Sequence, residues 1–332
     1  MTTESLPLAL TMGDPAGIGP ELALMAWRRR SQEAAPFFLV AAPAHLAKVA
    51  KKIGFDAPII ETPPEQAASV IAEGLPVVPL ENAVDADFGR PDPRNAAATI
   101  ESIARAVEAV RLGKALAVVT NPIAKSVLYE AGFRFPGHTE YLGELAKAWG
   151  EPGFPVMMIW SETLAVVPIT IHLALADAIR ALDADLIKRT ARIVDRALRA
   201  RFGVARPRLA FAGLNPHAGE EGTMGREEIS IITPAIEALR REGIDAVGPL
   251  PADTMFHARA RAAYDVALTM YHDQGLIPAK TLAFDEAVNV TLGLPFVRAS
   301  PDHGTAFDIA GKGVANPSSL IAALRLADRI AR

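Results

Sequence analysis

Cysteine is absent from all 332 residues. Disulfides, thiolate zinc sites and cysteine nucleophiles are thereby excluded together, and the composition suits a reducing cytoplasm. Long apolar runs are missing too: no stretch approaches the roughly 20 residues needed to span a bilayer. MTTESLPLALTMGDP has no basic start followed by a long apolar segment, so no signal peptide is read there. Grouped cations are scarce. The longest Lys/Arg run is Arg28-Arg29-Arg30, the formal net charge is -4 and the pI is near 6.0. A face that binds a phosphate backbone needs clustered positive charge, so nucleic acid is not expected as a partner. The expectation is a soluble, cytoplasmic protein with no membrane partner.

Hydrophobic residues make up 50% and charged residues 22%, a globular balance that supports a substantial core. The length admits one large domain or two ordinary ones. Short apolar runs alternate with helical patterns from end to end. Strands are predicted over 7–11, 37–41, 115–120, 156–160, 165–171, 208–212, 266–270 and 287–291. Helices are predicted over 19–30, 94–112, 138–149, 183–202, 227–242 and 317–330. In RNAAATIESIARAVEAVRLG the apolar positions 100, 103, 107 and 110 share a helical face, and Gly113 supplies the stop. The alternation argues for an α/β fold rich in parallel sheet. PIIETPPEQAASVIAEGLPVVPL is Pro-rich yet apolar and reads as short strands with turns. No repeat, low-complexity tract or linker stands out.

Four stretches carry chemistry. MGDPAGIGPEL, residues 12–22, runs from an apolar strand through a Gly-rich turn into a helix. Gly13, Gly17 and Gly19 permit tight turns, and Pro20 suits a first helical turn. It is neither a P-loop nor a dinucleotide GxGxxG, and a turn without a ligand explains it equally well. PGHTEYL places His138 and Thr139 at a helix entrance, where unpaired backbone N–H groups favour an anion; simple capping is the alternative.

The third feature is three histidines that each close an apolar strand: His172 in ITIHLAL, His217 in LNPHAGEEG and His272 in TMYHDQG. Ligands bind at the carboxyl ends of strands in an open α/β sheet. One such histidine is commonly structural, but three in equivalent places suit a divalent ion with an open coordination position. Their spacing matches no local zinc motif, so the inference depends on the fold. The fourth is VNVTLGLPFVRASPDHGTAFDIAGKGVANP, where Asn289, Arg298, Asp302, His303 and Asp308 lie among turn formers. It reads as too polar for a buried strand. Arg298 and Lys280 suit a phosphate or carboxylate group, although either alone reads as surface charge.

MGDPAGIGPE, GHTEYL, the three histidine segments, PADTMF, YHDQGL and the long C-terminal block together resemble the 4-hydroxythreonine-4-phosphate dehydrogenase family. The match runs from residue 7 to the C-terminus with motif order and spacing intact. HGTAFDIAGKGVANP and MGDPAGIGPE are also similar to segments of the isocitrate/isopropylmalate dehydrogenase superfamily. The resemblance implies two α/β/α domains around a cleft: a discontinuous terminal domain, 1–130 plus 283–332, carrying the dinucleotide segment, and a central domain, 131–282, carrying the histidines and dimer contacts. It implies a homodimer with its active site near the interface. His172, His217 and His272 match the family's metal ligands, commonly for zinc, with magnesium or cobalt as alternatives. His138, Thr139, Lys280, Asn289 and Arg298 match its substrate-binding residues. By similarity to the superfamily, Gly304, Thr305, Asp308 and Asn316 would contact NAD or NADP. Asp253 and Asp273 have no ligand from the match; Asp273 would orient a ligand imidazole or lie near the substrate amine.

The implied reaction is metal-assisted oxidation of the C3 hydroxyl of 4-phosphooxy-L-threonine. The β-keto acid formed would decarboxylate to 3-amino-2-oxopropyl phosphate, on the route to pyridoxal 5′-phosphate. Paralogues that oxidise 4-phospho-D-threonate, D-erythronate 4-phosphate or aromatic cis-dihydrodiols carry the same metal and cofactor motifs. Lys280, Asn289 and Arg298 favour a phosphorylated substrate over a dihydrodiol. A metal-dependent hydrolase using Asp273 or Glu220 as base is the rival from another class, and the segment 303–317 counts against it. A non-catalytic metabolite-binding role is the third reading.

Overall fold

The computed structural model describes residues 6–30, 34–135, 137–150 and 153–332. Among them the strands are β1 (Leu8–Thr11), β2 (Phe37–Ala41), β3 (Ile59–Glu61), β4 (Leu75–Pro79), β5 (Val118–Val119), β6 (Val156–Trp160), β7 (Ala165–Pro168), β8 (Arg208–Ala212), β9 (Asp245–Leu250), β10 (Val266–Thr269), β11 (Val288–Leu292) and β12 (Arg298–Pro301). Helices connect most of them, and the α/β class read from the sequence holds. The chain divides into two compact units, Met1–Pro155 with Leu294–Arg332, and Val156–Gly293.

In the terminal unit the strand order is β3-β4-β2-β1-β5-β12, parallel throughout. β1 and β2 are buried at every residue. Their continuous apolar runs, LALT and FFLVA, are what a parallel sheet covered on both faces requires. The helix Ala96–Arg111 lays Ile103, Ala106 and Val107 into the core against Phe38, Val40 and Val118. In the central unit the order is β11-β6-β7-β10-β8-β9. β6 pairs antiparallel with both β11 and β7, whereas β7, β10, β8 and β9 run parallel.

The unit boundaries lie away from the expected 130/131 and 282/283. The helix His138–Ala146 packs Tyr141, Leu142 and Ala146 into the terminal core, and β11 pairs with β6, which carries 288–292 into the central unit. Two expectations need correction, and one helix was not among those predicted. The stretch after β10 is a helix, His272–Ala283, despite Gly275 and an internal Pro278; Leu276 and Ala279 are buried on its inner face. Burial there outweighs the two helix breakers. Arg298–Pro301, read as too polar for a buried strand, is one: all four residues are buried as β12. The predicted strand 115–120 keeps ladder geometry only at Val118–Val119, although Thr120 still donates its N–H to Ala299 O at 3.0 Å.

Glycine is required where β1 turns into the helix Gly19–Arg28. Gly13 has φ +76°, and a Cβ there would lie 2.7 Å from Pro122 O and 2.8 Å from Asn121 Cβ. Gly13→Ala is expected to cost about 2 kcal/mol or more through backbone strain and this contact. The check is a lower urea midpoint at unchanged slope; a wild-type midpoint refutes the close approach.

Candidate active site

The pairing of β7, β10 and β8 brings the three histidines to one sheet end. Val166 of β7 is level with Ala267 of β10, and Leu209 of β8 with Val266, so these adjacent parallel strands finish close together. His172 follows β7, His217 follows β8, and His272 follows β10 as the first residue of the helix His272–Ala283. His172 and His217 hold φ of 52° and 51°, a left-handed conformation costing a non-glycine residue on the order of 1 kcal/mol.

The His172 and His272 rings lie 5.6 Å apart, centroid to centroid. Two imidazoles bound to one tetrahedral ion would stand about 5 Å apart on the same measure. His272 Nδ1 is 2.7 Å from Asp273 Oδ1. The carboxylate accepts, so Nδ1 carries the proton and the Nε2 lone pair is left for a ligand. A cavity of about 300 Å³ opens here, lined by Thr170, His172, Tyr271, His272 and Asp273. This donor chemistry fits a divalent cation. His217 belongs to a left-handed run, 217–221, and its Nδ1 is 3.7 Å from Glu220 Oε2. Among the described residues no three His, Cys, Asp or Glu side chains converge closely enough to hold an ion, so the structure brings two of the three histidines together.

Three other candidates belong to the central unit. Lys280 is half-buried, two helical turns beyond His272. Asn289 lies half-buried on β11 opposite Ile159. Asp253, exposed in the short turn Ala252–Thr254, shares a second cavity of about 530 Å³ with Tyr271, Asp273 and Gln274.

His138, Thr139 and Arg298 belong to the terminal unit. The helix His138–Ala146 has Gly137 at its N-cap and no side-chain capping bond, so neither His138 nor Thr139 acts as the cap. His138 Nε2 is sealed from solvent with no hydrogen-bond partner among the described residues. Burial, and then the charges of Arg298 and Lys125, hold its pKa well below the ordinary histidine value. Arg298 is only 4% exposed and donates Nε and Nη2 to Thr120 Oγ1, at 3.2 and 2.6 Å. It is no surface charge. Burial lowers its pKa to about 10, which leaves it charged at neutral pH. A buried cation beside a neutral imidazole is a place where a bound anion recovers lost solvation.

The segment carrying Gly304, Thr305, Asp308 and Asn316 rests on the Gly-rich turn of 12–22. Ile18 N donates to Thr305 O at 3.0 Å, and Gly311 N donates to Glu21 Oε2 at 3.0 Å. A Cβ on Gly17 would meet Thr305 O at 2.8 Å, so that glycine serves the packing of this segment. Gly304 and Asp308 are exposed. Asn316 is also exposed, and its Oδ1 accepts from Ser318 N and Oγ at the start of the C-terminal helix.

The family described as pyridoxal phosphate biosynthetic protein PdxA matches residues 32–327. A 4-hydroxythreonine-4-phosphate dehydrogenase of Methylorubrum extorquens is 61% identical over 335 residues, covering 100% of this chain and 96% of the relative. The chain belongs to the PdxA family. A crystal structure of 4-hydroxythreonine-4-phosphate dehydrogenase from Klebsiella pneumoniae is similar with TM-score 0.87 at 36% identity, covering 100% and 99% of the two chains. A terephthalate 1,2-cis-dihydrodiol dehydrogenase from Burkholderia xenovorans is more distant, with TM-score 0.65 at 29% identity and 98% of each chain covered.

Several residues that contact these candidates escaped the sequence reading: Thr120 under Arg298, Lys125 beside His138, Glu21 under the segment 304–316 and Gln274 beside His272. Thr120 and Asn121 close β5 as the histidines close their strands, and that signal was present. Glu21 acts across 290 residues, a separation that no local pattern reports.

His138 and His45 both have pKa values lowered by burial. Below about pH 6.5 the unfolded chain takes up protons at these positions that the folded chain does not, so stability falls with pH through that window. His138→Asn should flatten the decline by up to about 1.4 kcal/mol per pH unit. Urea midpoints between pH 7 and 5 test this, and an unaltered slope contradicts it.

Proposed function

We propose that the chain is a 4-hydroxythreonine-4-phosphate dehydrogenase, an oxidoreductase of pyridoxal phosphate biosynthesis. The observation that carries the reading is 61% identity along the whole chain to a relative of that name. The substrate is then 4-phosphooxy-L-threonine. Its C3 hydroxyl is oxidised, and the resulting β-keto acid loses carbon dioxide to give 3-amino-2-oxopropyl phosphate.

His172, His217 and His272 would hold a divalent cation, zinc first with magnesium and cobalt as alternatives, and Asp273 would fix the His272 tautomer. The cation would supply Lewis acidity toward the C3 hydroxyl, and NAD or NADP would accept the hydride. Neutral imidazole ligands leave the ion's charge largely uncancelled, which suits it to that task. Arg298 and His138, with Thr139, would receive an anionic group of the substrate, Arg298 by charge and His138 by donating a hydrogen bond from its unpartnered Nε2. Lys280 and Asn289 would contact its remaining polar groups. The exposed backbone at Gly304, with the half-buried Thr305, would approach the dinucleotide, with Asp308 toward a ribose hydroxyl and Asn316 alongside.

The relatives named above do not favour the phospho-sugar-acid or hydrolase alternatives, and the dihydrodiol dehydrogenase is a weaker likeness than the Klebsiella structure. No helix among the described residues is long and apolar enough to cross a membrane. We place the enzyme in the cytoplasm as a homodimer. The dimer is supported by an exposed apolar face on the central unit, with Ile277 65%, Leu282 42% and Phe284 68% exposed.

Purified protein with 4-phosphooxy-L-threonine should reduce NAD or NADP, and 4-phospho-D-threonate should be the poorer substrate in the same steady-state comparison. Metal-dependent hydrolysis without dinucleotide reduction would sink the reading. His172→Ala, His217→Ala and His272→Ala should each lower kcat about a hundredfold or more while leaving the fold intact. Full metal occupancy in all three variants would contradict the ligand assignment. Light scattering should report twice the chain mass, and Phe284→Glu should shift the protein toward monomer; a monomeric wild type refutes the dimer.

A further inference from the structure

The three histidine loops are tied together by a chain of hydrogen bonds across the ends of β7, β10 and β8. Thr170 lies two residues before His172. Its Oγ1 donates to Met270 O at 2.8 Å, and its N–H reaches the same oxygen at 3.3 Å. Met270 lies two residues before His272, and its N–H donates to Gln274 Oε1 at 2.7 Å. Gln274 Nε2 donates to Gly213 O, also at 2.7 Å. Gly213 begins the loop that carries His217, and its own N–H donates to Leu250 O of β9 at 2.8 Å.

Gln274 is the one side chain in this series that joins the His272 segment to the His217 loop. It does so because a primary amide accepts at one atom and donates at the other. A carboxylate of the same length could accept from Met270 N but would place a second acceptor against Gly213 O. The surroundings hold both partners still. A Cβ on Gly275 would lie 2.6 Å from Thr269 Oγ1, so the helix start is seated directly on the end of β10. The His217 loop is anchored independently by Asn215, whose N and Nδ2 donate to Glu228 at 2.7 and 2.9 Å; Glu228 is only 3% exposed.

We propose that Gln274 is a positioning residue that sets the spacing between His272 and His217, and through it the affinity of the site for a divalent cation. The proposal rests on the three-histidine metal reading given above. It does not make Gln274 a ligand.

The test uses full-length protein and Co²⁺ as probe, with affinity read by competition against a chromophoric chelator and coordination by the cobalt visible spectrum. Gln274→Glu is expected to weaken Co²⁺ binding about tenfold, the lower range for residues supporting metal ligands. Its cobalt spectrum should shift toward that of His217→Ala. In the double variant the loss should not exceed that of His217→Ala alone by more than about twofold, because residues acting through one another are not additive. A general loss of structure would instead add. Circular dichroism establishes folding, and should Gln274→Glu fail to fold, the similarly shaped Gln274→Met is read in the same way. Wild-type affinity in the variant, or additive losses, overturns the proposal alone. Failure of wild-type protein to bind Co²⁺ overturns the metal reading and the proposal with it.

Discussion

The parallel ladder that joins β7, β10 and β8 is the constraint on which the central unit's chemistry depends. Parallel pairing makes neighbouring strands end on the same side, and the loops that follow must begin there. His172, His217 and His272 are far apart in sequence, yet register alone brings their loops to one edge. None of the candidate site side chains lies on these three strands. β7 and β10 are buried at every position, and their role is to stay fixed while the loops vary.

The terminal unit solves a different problem, that of holding a long irregular segment steady. Residues 302–317 contain no strand and no helix, so their backbone groups need outside partners. The Gly-rich turn after β1 supplies them by bringing backbone and the Glu21 carboxylate within hydrogen-bonding reach of Thr305 and Gly311. Glu21 is 1% exposed and burial pushes its pKa up, while the amide of Gly311 opposes that rise. A carboxylate buried in this way is stabilised by the segment that it holds, so turn and segment form one folding unit.

The strand core was legible because strands buried over most of their length are short apolar words: FFLVA, VMMIW and RLAFA appear in the structure with the boundaries read from sequence. The histidines were legible for a related reason, since each follows such a word. What local pattern could not report was burial of polar residues. Arg298 opens a buried strand because Thr120, from β5's end, receives its guanidinium, and that partner is 178 residues away. The helix beginning at His272 was hidden by Gly275 and Pro278, which forbid helix in isolation but are tolerated where Thr269 demands a small neighbour and tertiary packing covers the inner face. Asp273, without an assigned ligand from sequence, has a definite partner in the structure, its carboxylate lying 2.7 Å from His272 Nδ1.

The pairing of Arg298 with His138 has a consequence for how binding responds to acidity. Arg298 keeps its charge up to about pH 10, and His138 stays neutral to well below the usual histidine range. Across the intervening range neither group changes its protonation state, so this corner of the terminal unit presents a constant field to an incoming anion. A phosphate monoester, by contrast, loses its second proton near pH 6. Any variation of affinity with pH arising at this corner would therefore have to include the ionisation of the ligand.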